Sequence, residues 1–142
     1  MPNVTKRYPL PGPVARSLET VGDRWTLLVI RELLLGPARY AELERALPGI
    51  PSNLLAERLR LLEVEGIALR GAGNRGYRLT GKGRDLAPVL ASLAAWGMRH
   101  YGEPSSALAI HAGCGGRVLT QSSCSRCGAA VTSTELDLRG LP

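Results

Sequence analysis

A chain of 142 residues can bury the core of one domain, and its 44% hydrophobic and 21% charged residues are typical of globular proteins. No apolar run approaches the roughly 18 residues of a transmembrane helix, and the N-terminus lacks the apolar segment of a secretory signal, so we expect a soluble, cytoplasmic protein. The net charge of +6 favours a polyanionic partner, although charge alone would also serve solubility.

The chain begins with a proline-rich segment, residues 1–12, which we expect to form an extended arm. A first helix is predicted over residues 14–21, where apolar side chains recur at helical spacing, and Gly22 is placed to end it. Asp23 is placed to cap a second, mostly buried helix over residues 25–35.

Two further helices are predicted on either side of a Pro-Gly turn. The third covers residues 40–47. Ser52 is placed to cap the fourth, which runs to about residue 65 and ends at Gly66. Its inward stripe is spaced at one face of a helix and consists of Leu55, Leu59 and Leu62.

The pattern then changes to two short strands, residues 67–70 and 76–79, around a glycine-rich tip at residues 71–75. A long amphipathic helix is predicted over residues 80–101, with a kink or a break near its internal Pro88. This order of elements predicts a mainly α winged helix-turn-helix with a small β-hairpin and a long C-terminal helix.

The outer face of the fourth helix and the hairpin carry side chains that suit DNA. Asparagine suits adenine edges, arginine suits guanine or phosphate, and a small alanine lets the backbone approach closely. A cationic, glycine-rich tip can follow the phosphate backbone or enter a minor groove. The alternative is an ordinary solvated surface. The predicted DNA-contacting residues are Arg39, Ser52, Asn53, Ala56, Glu57, Arg60, Arg70, Asn74, Arg75 and Arg78.

Five stretches within residues 12–101 together form a recognisable pattern: residues 13–16 (PVAR), 21–33 (VGDRWTLLVIREL), 36–43 (GPARYAEL), 47–59 (LPGIPSNLLAERL) and 77–83 (YRLTGKG). The pattern resembles the HxlR family of winged helix regulators, a branch near the MarR group. The resemblance implies a sequence-specific regulator of transcription that binds double-stranded DNA as a homodimer on a near-palindromic operator, with repression as the simplest mode of action.

The resemblance also implies that the first helix and the long C-terminal helix form most of the dimer contact. The interface residues would be Val14, Leu18, Leu86, Leu90, Leu93 and Trp96. Trp96 could equally be an ordinary core residue. Family members often carry a sensing cysteine just before the Pro-Val pair, but this chain has Gly12 there, which excludes sensing through that thiol.

The three cysteines all lie in the C-terminal extension, residues 102–142, which follows the predicted winged helix domain at residues 13–101. His111 and Cys114, and then Cys124 and Cys127, form two pairs with the spacing of a structural zinc ribbon. The alternatives are a loosely packed tail with free thiols and a thiol switch between the last two cysteines.

No phosphate-binding glycine loop, acid pair or activated nucleophile is apparent, so we expect no enzymatic activity. The competing hypothesis is a zinc-ribbon interaction module, or a thiol- or metal-responsive sensor, in which the helical part mainly dimerises.

Overall fold

The computed structural model describes residues 7–102 and 109–140, so the first half of the predicted arm, residues 1–6, lies outside the described residues. The contacts divide the chain into two units, residues 1–87 and 88–142. The predicted boundary at residue 102 stays a prediction. The first unit contains α1 (Pro13–Val21), α2 (Thr26–Leu34), α3 (Tyr40–Ala46), α4 (Ser52–Val64), β1 (Ala68–Arg70), β2 (Tyr77–Leu79) and α5 (Gly81–Arg84). The second contains α6 (Ala87–Tyr101), β3 (Ser122–Ser123), β4 (Ala130–Val131) and a 3-10 turn (Leu138–Gly140).

The core of the first unit is aliphatic and lies between α2, α3, α4 and the hairpin. The leucine stripe predicted for α4 is fully buried, and Ile30 of α2 and Leu43 of α3 are buried with it. Ala68 and Leu79, which are paired across the hairpin, also face this core. The prediction of a winged helix-turn-helix that is mainly α with a small hairpin is confirmed.

Local hydrogen bonds explain where the helices begin. Asp23 Oδ1 accepts from the backbone N–H of Trp25 at 2.8 Å and of Thr26 at 3.2 Å, so this carboxylate caps the start of α2 as predicted. The prediction that Ser52 caps α4 is wrong. Pro51 is the residue before the helix, no side chain caps it, and the Ser52 hydroxyl donates instead to the Glu44 carboxylate.

The hairpin pairs with a third segment of chain that the sequence did not indicate. The Ala38 N–H donates to the Tyr77 carbonyl at 3.0 Å, and the Tyr77 N–H donates to the Ala38 carbonyl at 2.7 Å. Gly76, with φ of 75°, brings the two backbones together, and a Cβ at that position would lie 2.4 Å from the Ala38 oxygen. The loop between α2 and α3 therefore anchors the hairpin.

The long helix predicted over residues 80–101 is broken between α5 and α6. The Thr80 hydroxyl caps α5 by accepting from the Gly83 N–H at 3.2 Å. Pro88 falls in the first turn of α6, where its missing N–H removes no helical hydrogen bond. Of the two outcomes predicted at Pro88, a kink or a break, the structure has the break.

Every residue of α6 is described, and none of its side chains is buried. Within the described part of the chain, no helix is both long enough and apolar enough to cross a membrane.

Candidate nucleic-acid interface

The outer face of α4 presents the polar side chains that the sequence predicts. Asn53 and Arg60 are exposed, while Ala56 and Glu57 are half-buried. Positions 53, 57 and 60 follow one helical stripe, opposite the buried leucines. The structure therefore places these four predicted residues together on one surface.

The start of α4 is held against α3 by two side chains that the sequence analysis missed. The Tyr40 hydroxyl donates to the Ser52 carbonyl at 2.5 Å, and the Glu44 carboxylate accepts from the Ser52 hydroxyl. Tyr40 and Glu44 are four residues apart and so lie on one side of α3, which is the signal that could have indicated their role. The predicted phosphate contact of Ser52 stays a prediction.

Arg58 is a second missed residue, and it points the opposite way from Arg60. Its side chain is only 16% exposed, and Nε lies 3.4 Å from Oδ1 of Asp23, whose side chain is 29% exposed. Nε makes an ion pair at this distance but no hydrogen bond. Asp23 therefore joins the start of α2 to the middle of α4.

We call the hairpin of β1, β2 and their connecting tip the wing. Its arginines do not lie together on one surface. Asn74 and Arg75 are exposed at the tip. Arg70 pairs with Tyr77 and Arg78 pairs with Leu69, so Arg70 and Arg78 lie on opposite faces of the two-stranded sheet. The Arg70 guanidinium carbon lies 5.9 Å from the centre of the Tyr77 ring, a cation–π contact that restrains this side chain.

Other cations near the wing already have partners within the protein. Lys82 Nζ donates to the Glu65 carbonyl at 2.5 Å, and Arg84 donates to the Leu79 carbonyl at 3.0 Å. Arg39 remains exposed, but its Nε lies 3.8 Å from the Glu42 carboxylate. Lys82 and Arg84 therefore hold α5 against the end of α4 and against β2.

The residues predicted for the dimer interface are not covered in the single chain. On α1, Val14 is 55% and Leu18 is 45% exposed. On α6, Leu93 is 50% and Trp96 is 45% exposed, and Leu90 is half-buried. Leu86, which lies between α5 and α6, is also half-buried. Their role in an interface stays a prediction.

The predicted metal ligands lie in two separate pairs. His111 Nδ1 is 3.2 Å from Cys114 Sγ. The backbone N–H groups of Cys127 and Arg126 donate to the Cys124 sulfur and hold the pKa of that thiol below its ordinary value. Within residues 7–102 and 109–140, no three His, Cys, Asp or Glu side chains converge on a point that could hold a metal.

The sequence of this chain is similar to that of a known protein family. A sequence model of the family described as HxlR-like helix-turn-helix matches residues 20–105. The uncharacterized HTH-type transcriptional regulator Rv3095 of Mycobacterium tuberculosis is 37% identical over 127 residues, which are 84% of this chain and 80% of the relative.

Two solved structures share the fold. PA1607, a candidate transcription factor, matches with a TM-score of 0.75 at 30% identity, over 88% of this chain and 92% of its own. The reduced form of the transcriptional regulator YodB from B. subtilis matches with a TM-score of 0.55 at 33% identity, over 68% of this chain and 100% of YodB. These relatives are regulators rather than enzymes. The chain therefore belongs to the HxlR-like helix-turn-helix family of transcription regulators.

Proposed function

We propose that this protein is a cytoplasmic, homodimeric repressor that binds a near-palindromic operator with α4 in the major groove. The observation that carries the proposal is the exposed stripe of Asn53 and Arg60 on a helix whose opposite side is locked into the core by leucines. An α-helix fits the major groove, where each base pair presents a distinct pattern of donors and acceptors.

The contacts of α4 favour a fixed docking angle. Tyr40 and Glu44 hold the first turn of the helix, and the Asp23–Arg58 ion pair holds its middle. Because the helix is already held at two points, it loses little conformational entropy when it binds DNA. The N–H groups of Leu54 and Leu55 already donate to the Pro51 carbonyl, so a phosphate at this end of the helix would accept from Ser52 and Asn53.

The wing would add contacts beside the groove. Arg75 and Asn74 are exposed at its tip, and Arg78 is exposed on one face of the sheet. When such a cation neutralises a phosphate, counterions are released from the DNA. Each neutralised phosphate therefore makes the slope of log K for binding against log salt concentration steeper by about 0.9. Arg70 is restrained against Tyr77, so we assign it a smaller share of the binding energy.

Dimerisation is supported by apolar surface that one chain leaves exposed. Neither α1 nor α6 buries any side chain within the chain, although both carry large apolar residues. Such surfaces are typical of helices that pack against another molecule. Two copies would present two α4 helices to half-sites separated by about one turn of DNA, roughly 34 Å.

The test is binding of the purified protein to DNA from upstream of its own gene, followed by footprinting and gel shift with variants. We expect Arg60→Ala to weaken operator binding by about 5–150-fold and to relax the preference for one base pair, because a base contact is lost. We expect Arg75→Ala to weaken binding to all sequences alike and to lower the salt slope by about 0.9.

Arg139→Ala is the matched control, since it removes the same charge from an exposed arginine in the other unit. Binding by this variant should equal that of the wild type. If Arg60→Ala and Arg75→Ala bind the operator as the wild type does, while cysteine variants abolish binding, the helical unit is not the DNA-binding surface. The proposal would then fail in favour of an interaction module in the tail.

A further inference from the structure

The C-terminal extension contains two short antiparallel hairpins, and each turns around one of the His/Cys pairs. In the first, Ile110 bridges Arg117 across the turn that holds His111 and Cys114. In the second, β3 pairs with β4 across the turn that holds Cys124 and Cys127. Both pairs therefore lie at hairpin tips.

The two turns share two backbone hydrogen bonds. In the first, the His111 N–H donates to the Gly116 carbonyl at 2.8 Å and the Gly115 N–H donates to the His111 carbonyl at 2.7 Å. In the second, the Cys124 N–H donates to the Ala129 carbonyl at 2.9 Å and the Gly128 N–H donates to the Cys124 carbonyl at 2.8 Å. The sequence offsets of both bonds are identical.

A left-handed glycine follows the second ligand of each pair. Gly115 and Gly128 both have φ of 72°, a conformation that favours glycine. Glycines also leave room for the ligand side chains of the first turn. A Cβ on Gly113 would lie 3.0 Å from the His111 ring, and one on Gly116 would lie 3.3 Å from Cys114 Sγ.

In the first pair the two donor atoms lie close together. Two ligands of tetrahedral zinc, one nitrogen and one sulfur, lie about 3.5 Å apart, given bond lengths of about 2.0 and 2.3 Å. The separation of 3.2 Å between His111 Nδ1 and Cys114 Sγ is close to that edge. In the second turn, the backbone N–H groups of Cys127 and Arg126 donate to the Cys124 sulfur, so this side chain is held inside its turn.

The described part of the extension, residues 109–139, forms no apolar core that could hold this arrangement. Between residues 109 and 139, every residue is exposed except Cys124 and Val131, which are half-buried. Strands of two residues are too short to be stable by themselves. Short hairpins without an apolar core need another source of stability, and a bound metal ion can supply that free energy.

We propose that His111, Cys114, Cys124 and Cys127 bind one structural zinc ion that closes the two hairpins into a ribbon. The donor set of one imidazole and three thiolates is the kind that zinc prefers, and four protein ligands leave no position for catalysis. The three thiols release their protons to solvent on binding. Because the four side chains form two pairs in this structure, binding requires the hairpins to approach each other.

The test is the zinc content of the untagged full-length protein, purified under reducing conditions and reconstituted with equimolar zinc. We expect about one zinc per chain. We expect Cys114→Ser and Cys124→Ser each to reduce the retained zinc to near zero after dialysis, whereas the neighbouring Ser125→Ala retains it. Cobalt in place of zinc should give the intense visible absorption of tetrahedral thiolate coordination, and His111→Ala should shift that spectrum.

Helical circular dichroism of each variant checks that the first unit stays folded. The proposal is overturned if the reconstituted wild type retains no zinc, or if the cysteine variants retain as much as the wild type. One zinc per two chains would also overturn it, since the four ligands would then come from different copies. A disulfide between Cys124 and Cys127 in zinc-containing buffer, detected by a mass loss of two hydrogens, would support the thiol switch instead.

Discussion

Single residues in the wing show how a backbone contact can require one amino acid. Gly76 and Gly73 both have positive φ, 75° and 62°. They differ in surroundings, because a Cβ on Gly76 would collide with the Ala38 carbonyl, whereas one on Gly73 would meet nothing within 4 Å. A comparison of the two glycines therefore separates two energetic costs of adding a side chain. One is the strain of a left-handed backbone, and the other is the collision of the new Cβ with a neighbouring backbone.

We therefore predict that Gly76→Ala lowers the free energy of unfolding by about 2–4 kcal/mol, as strain adds to the loss of the contact with Ala38. Gly73→Ala, the matched control, should lose only about 1–2 kcal/mol. Urea denaturation followed by circular dichroism measures both. Equal losses would show that the close approach to Ala38 contributes nothing.

At the scale of elements, Asp23 links two helices that the sequence presents as separate. Its carboxylate caps α2, accepts from the buried Thr26 hydroxyl, and forms the ion pair with Arg58 of α4. When one partner of a largely buried ion pair is removed, the other charge stays buried without an opposite charge. The resulting loss of folding stability is larger than the stability that the intact pair contributes.

A double-mutant cycle tests this link. Asp23→Asn keeps an acceptor for the cap and removes the charge, and Arg58→Met keeps the volume of the side chain. We expect each single change to lower the free energy of unfolding by about 1–3 kcal/mol, and the double variant to lose less than the sum by at least about 0.5 kcal/mol. Arg39→Met, at an ion pair with Glu42 in which both side chains are exposed, should change stability by less than about 1 kcal/mol. Strict additivity would mean that Asp23 and Arg58 act independently.

The elements themselves could be predicted because their signals are local. Leucine spacing indicated α4 and its buried face, and Pro88 indicated the break before α6. Contacts between distant segments gave no such signal. The pairing of Ala38 with Tyr77 joins residues far apart in sequence. Helical spacing separates Arg58 from Arg60, but it does not reveal that Asp23 is the partner of Arg58. The residue type of Ser52 predicts a cap because serine is common at that position, but the Ser52 hydroxyl donates to the Glu44 carboxylate instead.

At the scale of the whole molecule, the apolar surface of α6 predicts self-association. Leu93 and Trp96 are three residues apart and therefore lie on one face of the helix, and both are about half exposed. Trp96 also contacts the rings of His100 and Tyr101, with centroids 5.2 and 5.3 Å away, so an aromatic cluster covers the end of α6.

We predict that Trp96→Asp shifts the protein from dimer to monomer in size-exclusion chromatography with light scattering, because a charge would be buried in the interface. Operator affinity should fall with it, since each monomer holds one half-site. Leu35→Asp is the control, because Leu35 is 82% exposed and lies outside α1 and α6. A Trp96→Asp protein that remains dimeric would place the interface elsewhere.

The pairing of the wing with Ala38 has a consequence for how this protein can diversify. Both hydrogen bonds at Ala38 use main-chain atoms, so they do not depend on the side chain at position 38, apart from proline, whereas the close approach at position 76 requires glycine. The four residues at the tip, 72–75, lie beyond this anchor and are all exposed. Apart from Gly73, whose positive φ favours glycine, these positions can change with little effect on stability, so paralogues could acquire new operators through the tip while their scaffold stays the same.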